Sequence, residues 1–425
     1  MLTTIKNISF SIIVILVFFM LIEVGFYFSG YDGNSYDAIL FGEDPNSPLL
    51  FEKSPLLWWR LKKNADIEFL GKRVVTDSLG LRCAPSTISG SNDPEVSILF
   101  LGDSSTFGWR MNYEQTFPYL LQKMLTKNLS KDVRIIIGGI PGYSSFQSLL
   151  LFKEISRKIN PDIVVIYLSN NELSMADNSD CERFKMSESF LWLKTVLNLS
   201  SLYQFMQNQI NKPISFYTSK PITLEQLYNM PTRVSLEEYR QNILEIMGLS
   251  YNNMATPVLL TVPSNLEFLS MLDIPDRNSE VNELLAGADQ LIMQKKYDSA
   301  LKNIETAQRI SPEYYKCFYL KGIISKLRGT GDEMGFFEKA IECHLFPARL
   351  KKSYNDAILD LAEKNNTLCV DLYGSLKSGS YDLDKLFIDA CHPSIDGHEL
   401  LAKMLYAPIA GVAKKMGRAS TGSRS

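Results

Sequence analysis

From Ile8 to Phe28 the chain reads ISFSIIVILVFFMLIEVGFYF, an apolar run whose one charged residue is Glu23. As a helix it would be about 31 Å long, against about 30 Å of hydrocarbon in a bilayer. The run exceeds the usual apolar core of a cleaved signal peptide, and no A-x-A site follows it, so the expectation is an uncleaved single-pass anchor. Lys6 precedes the run, whereas Glu23, Asp32 and Glu43 lie at its end or beyond. That bias puts the N-terminus in the cytoplasm and the remainder of the chain outside it.

The remainder is long enough for two or three folded units: the chain has 425 residues, 45% of them hydrophobic. Its formal net charge is −3 with scattered Lys and Arg, which argues against the basic stripe that a nucleic-acid partner requires. Cys83, Cys181, Cys317, Cys343, Cys369 and Cys391 lie far apart, without the paired CxxC spacing of a structural zinc site. Neither a metal nor a cofactor is expected, and disulfide pairing is left open.

Five short apolar, β-branched runs punctuate the chain: SILFLG at 97–102, VRIIIGG at 133–139, DIVVIYLS at 162–169, PVLLTVP at 257–263 and TLCVDLY at 367–373. Such runs suit strands buried on both faces. Helical patterns lie between them, for example Gln115 to Leu129 and Ser145 to Ile159. The alternation predicts an α/β fold, a three-layer doubly wound parallel sheet with its active residues just past the strands' carboxyl ends.

Two insertions break the alternation. In the first, roughly 175–250, Phe190, Leu193 and Leu197 recur at helical spacing, the pattern expected of a packed lid or core helix rather than of a membrane-surface helix. The second contains Leu284, Gly287, Ala288, Tyr297, Ala300, Ala307 and Pro312, followed by Gly322 and Ala340. Ala288 and Gly322 stand 34 residues apart, a period that resembles the tetratricopeptide repeat. The expected organisation is an anchor at 1–30, an extended stalk or packing segment at 31–95, the α/β domain at 96–279 and 348–410, a helical insertion at 280–347 and a tail at 411–425.

The first α/β strand runs into Gly102, Asp103 and Ser104, which sets a hydroxyl at the strand's carboxyl edge. A serine there needs a base, and the chain has three histidines, His344, His392 and His398. His344 falls in the repeat-like insertion and His398 opens a C-terminal helix. His392 belongs to DACHP, where Asp389 is three residues away and able to orient the imidazole within one turn.

These blocks resemble those of the SGNH (GDSL-type) hydrolases, which carry a GDS block, a glycine block, an asparagine block and a D-x-x-H-P block in this order. Here they are Gly102–Asp103–Ser104, GGIPGYSS with Gly142, YLSNNELS with Asn171, and Asp389 with His392. Glu172 replaces the more common Asp, and Ser169 a usual glycine. VVTDSLGLR and TVPSNLEFL are similar to a branch that joins an N-terminal anchor, an SGNH domain and helical repeats.

The resemblance implies Ser104, Asp389 and His392 as a catalytic triad, with an oxyanion hole from the Ser104 and Gly142 N–H groups and the Asn171 amide. It further implies an extracytoplasmic serine esterase acting on an acyl ester of carbohydrate or lipid. An O-acyltransferase of a surface glycan would use the same groups, and a catalytically inactive scaffold could bind a protein through the repeats. Asn265, after the fourth strand, is a candidate substrate contact, or else a turn residue.

Overall fold

The computed structural model describes residues 2–31, 33, 50–85, 94–168, 170–210, 222–268, 273–379 and 381–416. Ser169, Asp32, Glu43 and the end of the expected tail lie outside the described residues. Two compact units emerge, one from Met1–Lys62 with Phe184–Thr223, the other from Lys63–Arg183 with Leu224–Ser425.

In the first unit the apolar run forms the helix Leu2–Ser29, of which Phe10–Ser29 is long and apolar enough to cross a membrane. It also holds a hairpin of β1 (Phe51–Ser54) and β2 (Trp58–Leu61), and the short helices Leu191–Leu197 and Ser201–Ile210. The expectation of a packed core or lid helix here is overturned. Phe190, Trp192, Val196 and Leu199 are exposed, and the helix Leu191–Leu197 buries none of its residues.

The second unit is built on one eight-stranded sheet. Its strands are β3 (Asp66–Phe69), β4 (Lys72–Thr76), β5 (Arg82–Cys83), β6 (Val96–Gly102), β7 (Val133–Gly139), β8 (Ile163–Tyr167), β9 (Thr256–Leu260) and β10 (Leu368–Val370). They lie in the order β10-β9-β8-β6-β7-β5-β4-β3. The five expected strands are all present and mutually parallel. The sheet as a whole is mixed rather than purely parallel, because β3, β4 and β5 add antiparallel strands beyond β7. Part of the 31–95 segment is thus a sheet edge. β5 joins β7 through the pair Arg82↔Ile137, a contact made across the chain that strand patterning does not reveal.

β6 is central and all seven of its residues are buried, which is why its sequence shows no polar alternation. From β6 the chain steps one way to β7, then back past β6 to β8, β9 and β10. Right-handed crossovers in opposite directions place their helices on opposite faces. The helix Phe117–Leu129 packs with Ile395–Lys415, while Leu236–Asn252 packs with Ser145–Ile159 and Lys352–Lys364. The helix Leu236–Asn252, capped reciprocally by Ser235 and Glu238, thus belongs to a sheet-covering layer rather than to an insertion. The reversal of direction falls between β6 and β8, and open α/β sheets form their crevice past the carboxyl ends at such a point.

Between β9 and β10 stand two helix pairs, Ser279–Met293 with Tyr297–Ile310 and Tyr315–Arg328 with Glu333–Cys343. Ala288 is fully buried, and a Cβ on Gly322 would come within 2.6 Å of the Phe337 ring, so both small residues permit close helix approach. The last helix continues to Lys415, beyond the expected start of the tail.

Candidate active site

Gly102 ends β6, and the chain turns at once into the helix Ser104–Phe107. A Cβ at Gly102 would lie 2.0 Å from the Thr106 hydroxyl oxygen, and one at Gly139 2.6 Å from the Phe107 nitrogen. The turn therefore depends on glycine at both strand ends. Asp103, fully buried, accepts the Ser105 N–H at 2.8 Å and the Asn170 N–H at 3.1 Å. One carboxylate thereby ties the turn after β6 to the turn after β8.

The Ser104 hydroxyl lies 2.7 Å from His392 Nε2, and His392 Nδ1 lies 2.7 Å from Asp389 Oδ2. Asp389 Oδ1 accepts the N–H groups of Cys391 and His392, both at 2.9 Å, which fixes the carboxylate within its own loop. The Ser105 hydroxyl donates to the Cys391 carbonyl at 3.2 Å, a second clasp between the two loops. The Trp109 indole stacks on the His392 ring, with centroids 5.6 Å apart and planes 23° from parallel.

The electrostatics are those of a coupled pair. Burial tends to raise the Asp389 carboxyl, but the hydrogen bond and charge of His392 and the two N–H donors bring it down to about 2. Burial tends to lower His392, yet neighbouring Cys391 and the hydrogen bond to Asp389 hold the imidazole well above its ordinary value.

Gly142 sits in the loop after β7 with φ at +78°, a left-handed conformation that favours glycine. Its carbonyl accepts from Arg233 Nη1 at 2.7 Å, and the next carbonyl, of Tyr143, accepts from Asn171 Nδ2 at 3.0 Å. Arg233 also pairs with Asp180 at 2.8 Å and donates to Gln147. Glu172 is fully buried and takes the Ser145 N–H at 2.8 Å. Burial lifts its carboxyl well above the ordinary range, which favours the protonated form.

The expected residues therefore fall into two groups at the crevice. Ser104, His392 and Asp389 form one hydrogen-bonded chain. Gly142 and Asn171 are linked through Tyr143, and Asn171 follows the residue held by Asp103. Asn265 is buried, donates its amide to Asp384 at 2.9 Å and its N–H to the Ala390 carbonyl at 3.0 Å. It braces the Asp389 loop and leaves little to offer a substrate. His344 and His398 are buried elsewhere, each accepting a backbone N–H, from Phe346 and Phe117, at 3.1 Å. All six cysteines are unpaired.

Three residues at the site carry no sequence motif of their own. Trp109 covers His392. Arg233 holds the Gly142 loop. Arg82, fully buried, donates to the carbonyls of Phe107, Gly108 and Met111, at 2.6, 3.0 and 2.7 Å, and so fastens the loop that bears Trp109. Burial lowers its guanidinium to about 10, still charged at neutral pH.

No family model matches the chain. An arylesterase of Vibrio mimicus is 31% identical over 85 residues, which are 20% of this chain and 42% of that enzyme. The match thus spans under half of the curated relative. Among solved structures, LAE5, an alpha/beta hydrolase from the metagenome of Lake Arreo, Spain, is 14% identical, with TM-score 0.38 over 75% of this chain and 96% of its own. An acetyl xylan esterase is also 14% identical, with TM-score 0.38 over 74% and 100%. A putative lipolytic protein of the G-D-S-L family from Desulfitobacterium hafniense is 13% identical, with TM-score 0.34 over 75% and 99%.

Proposed function

We propose that the chain is a membrane-anchored serine ester hydrolase of the SGNH type, acting outside the cytoplasm on an acyl ester of carbohydrate or lipid. The observation that carries the proposal is the unbroken chain from Ser104 through His392 to Asp389, with both hydrogen bonds at 2.7 Å. Geometry of this kind is what defines a nucleophile–base–orienter set, whatever the order of its members in sequence.

His392 Nε2 takes the Ser104 proton as the hydroxyl oxygen attacks the acyl carbonyl, and Asp389 stabilises the imidazolium that forms. The oxyanion is held by the N–H groups of Ser104 and Gly142 and by the Asn171 amide. Collapse breaks the ester C–O bond, and His392 returns its proton to the leaving alcohol. Water, deprotonated by the same imidazole, then attacks the acyl-serine; the acyl C–Oγ bond breaks, His392 returns the proton to Ser104 Oγ, and the carboxylic acid leaves. Hydrolysis and acyl transfer would use the same five residues, which an inactive scaffold would not need; hydrolysis is preferred because water needs no dedicated acceptor site.

The helix over Ile8–Phe28 serves as a single-pass anchor with a cytoplasmic N-terminus, supported by its length and by Lys6 before it. The two helix pairs between β9 and β10 form a tetratricopeptide-like unit able to take a protein partner. The small residues at Ala288 and Gly322, spaced at the repeat period, support that reading.

The experiment is covalent labelling of the detergent-solubilised full-length chain with a fluorophosphonate. Wild type should be labelled at Ser104, and Ser104→Ala and His392→Ala should not. A folded wild-type chain that resists the probe and turns over no p-nitrophenyl ester would overturn the proposal.

A further inference from the structure

The first unit contains a contact that fixes the position of a second segment relative to the apolar helix. Glu23 lies six residues before the end of Phe10–Ser29, about 9 Å along the axis. Its carboxylate accepts the N–H of Ser201 at 2.9 Å, the N–H of Leu202 at 3.1 Å and the hydroxyl of Ser200. These donors are the N-terminus of the helix Ser201–Ile210, the positive end of its dipole. A carboxylate within an apolar span is costly unless satisfied, and this helix end satisfies it. Phe26, Tyr31 and Phe205 pack their rings beside it, with centroids 5.0 to 5.9 Å apart.

If Phe10–Ser29 crosses a bilayer, Ser200 to Leu202 must therefore lie at the depth of Glu23, where acyl chains meet headgroups. The residues just before them are apolar and turned outward. Leu199 is 83% exposed and Trp192 69%, with Phe190, Val196 and Met186 also exposed. Trp192 and Val196 are four apart on one helix face. Such a surface is costly in water, whereas tryptophan and large aliphatic side chains are favoured at a membrane interface.

We infer that the segment from Phe184 to Ile210 is a second membrane-contacting element, which inserts Phe190, Trp192, Val196 and Leu199 into the interface around the outer end of the anchor. The occupant of this apolar surface is the lipid bilayer, because the surface is continuous with the spanning helix through the Glu23 cap. The inference rests on the anchor reading and adds a lipid contact to it.

The test places the full-length protein in phosphatidylcholine–phosphatidylglycerol vesicles whose acyl chains carry bromine near the headgroup, a contact quencher of tryptophan. Wild type is compared with Trp192→Phe, each also subjected to carbonate extraction. We expect both chains to resist carbonate, and wild-type emission to contain a quenched component that Trp192→Phe lacks. Carbonate resistance with equal fractional quenching in the two chains would overturn the lipid contact, leave the anchor standing, and point to a protein or a second copy as the cover. Release by carbonate with the Trp192 component still quenched would sink the anchor and uphold the contact. Release without that component would sink both.

Discussion

The indole of Trp109 lies flat against the imidazole of His392, leaving the ring one open edge toward Ser104 and one toward Asp389. The stack is maintained from behind by Phe69, whose ring meets Trp109 edge-on at 5.7 Å, and by Arg82 on the backbone of the same loop.

Trp109→Ala removes that wall. The imidazole gains freedom to tip, and small displacements of a reacting group cost up to about 100-fold in rate. Ester turnover should fall by about 10- to 100-fold in kcat with little change in KM, and Trp109→Phe should recover most of it. An alanine variant with wild-type kcat would show that Asp389 alone positions the base.

Because Cys391 and Asp389 together hold His392 above its ordinary value, the imidazolium persists to higher pH and the free base appears only above that value. The kcat/KM profile should therefore rise with pH through a midpoint above 6.5, the ordinary imidazole value. Asp389→Asn should shift the midpoint down and lower kcat by about 10,000-fold. A midpoint unmoved by this change would break the coupling argued for the pair.

Asn171→Ala removes a proposed oxyanion donor and should cost about 100- to 1,000-fold in kcat without lowering the unfolding temperature much. Arg233→Lys should behave differently. A lysine cannot span Gly142, Gln147 and Asp180 as the planar guanidinium does, so kcat and thermal stability should fall together. Loss of stability with intact kcat would reduce Arg233 to a structural ion pair.

His398 is buried against Phe117, and burial, with the charges of Arg82 and His392, lowers it from 6.5 to about 3. Between those values the unfolded chain binds a proton that the folded chain refuses, so stability falls as pH drops below 6.5. The slope from this group is about 1.4 kcal/mol per pH unit. His398→Asn keeps an acceptor for the Phe117 N–H and should flatten the decline between pH 6.5 and 5, as read by urea unfolding. Ester turnover should survive it.

The parts of the site that could be read from sequence are those whose chemistry is local. Asp389 and His392 are three residues apart and make their bond within one loop, and Ser104 directly ends a strand that is apolar throughout. Gly142 and Asn171 could be placed because each follows a recognisable strand. Arg82, Trp109 and Arg233 could not. Arg82 acts on carbonyls 25 to 29 residues away and Arg233 on one 91 residues away, and a lone arginine has no periodicity to expose such a partner.

The same distinction explains the fold. β6 to β10 announce themselves by composition, whereas β3 to β5 enter the sheet through one pair with β7. The apolar residues around Leu193 carry a helical period that a core helix and an interfacial helix share. Which of the two forms depends on the neighbours supplied by the rest of the chain, and Glu23 and Phe26 meet the helix that follows, at Ser201 and Phe205.

Ser104 and His392, its proposed base, are 288 residues apart, and Ser105 clasps the Cys391 carbonyl across 286. A ribosome delivers the hydroxyl long before the imidazole, and the loop-closure entropy of that pairing is met only when β9, the helix pairs and β10 have taken their places. On the proposed mechanism, the nascent chain carries an unactivated Ser104 until His392 has been added and folded against it. Any fragment ending before residue 392 lacks the proposed base altogether, so chemical competence requires synthesis at least as far as His392.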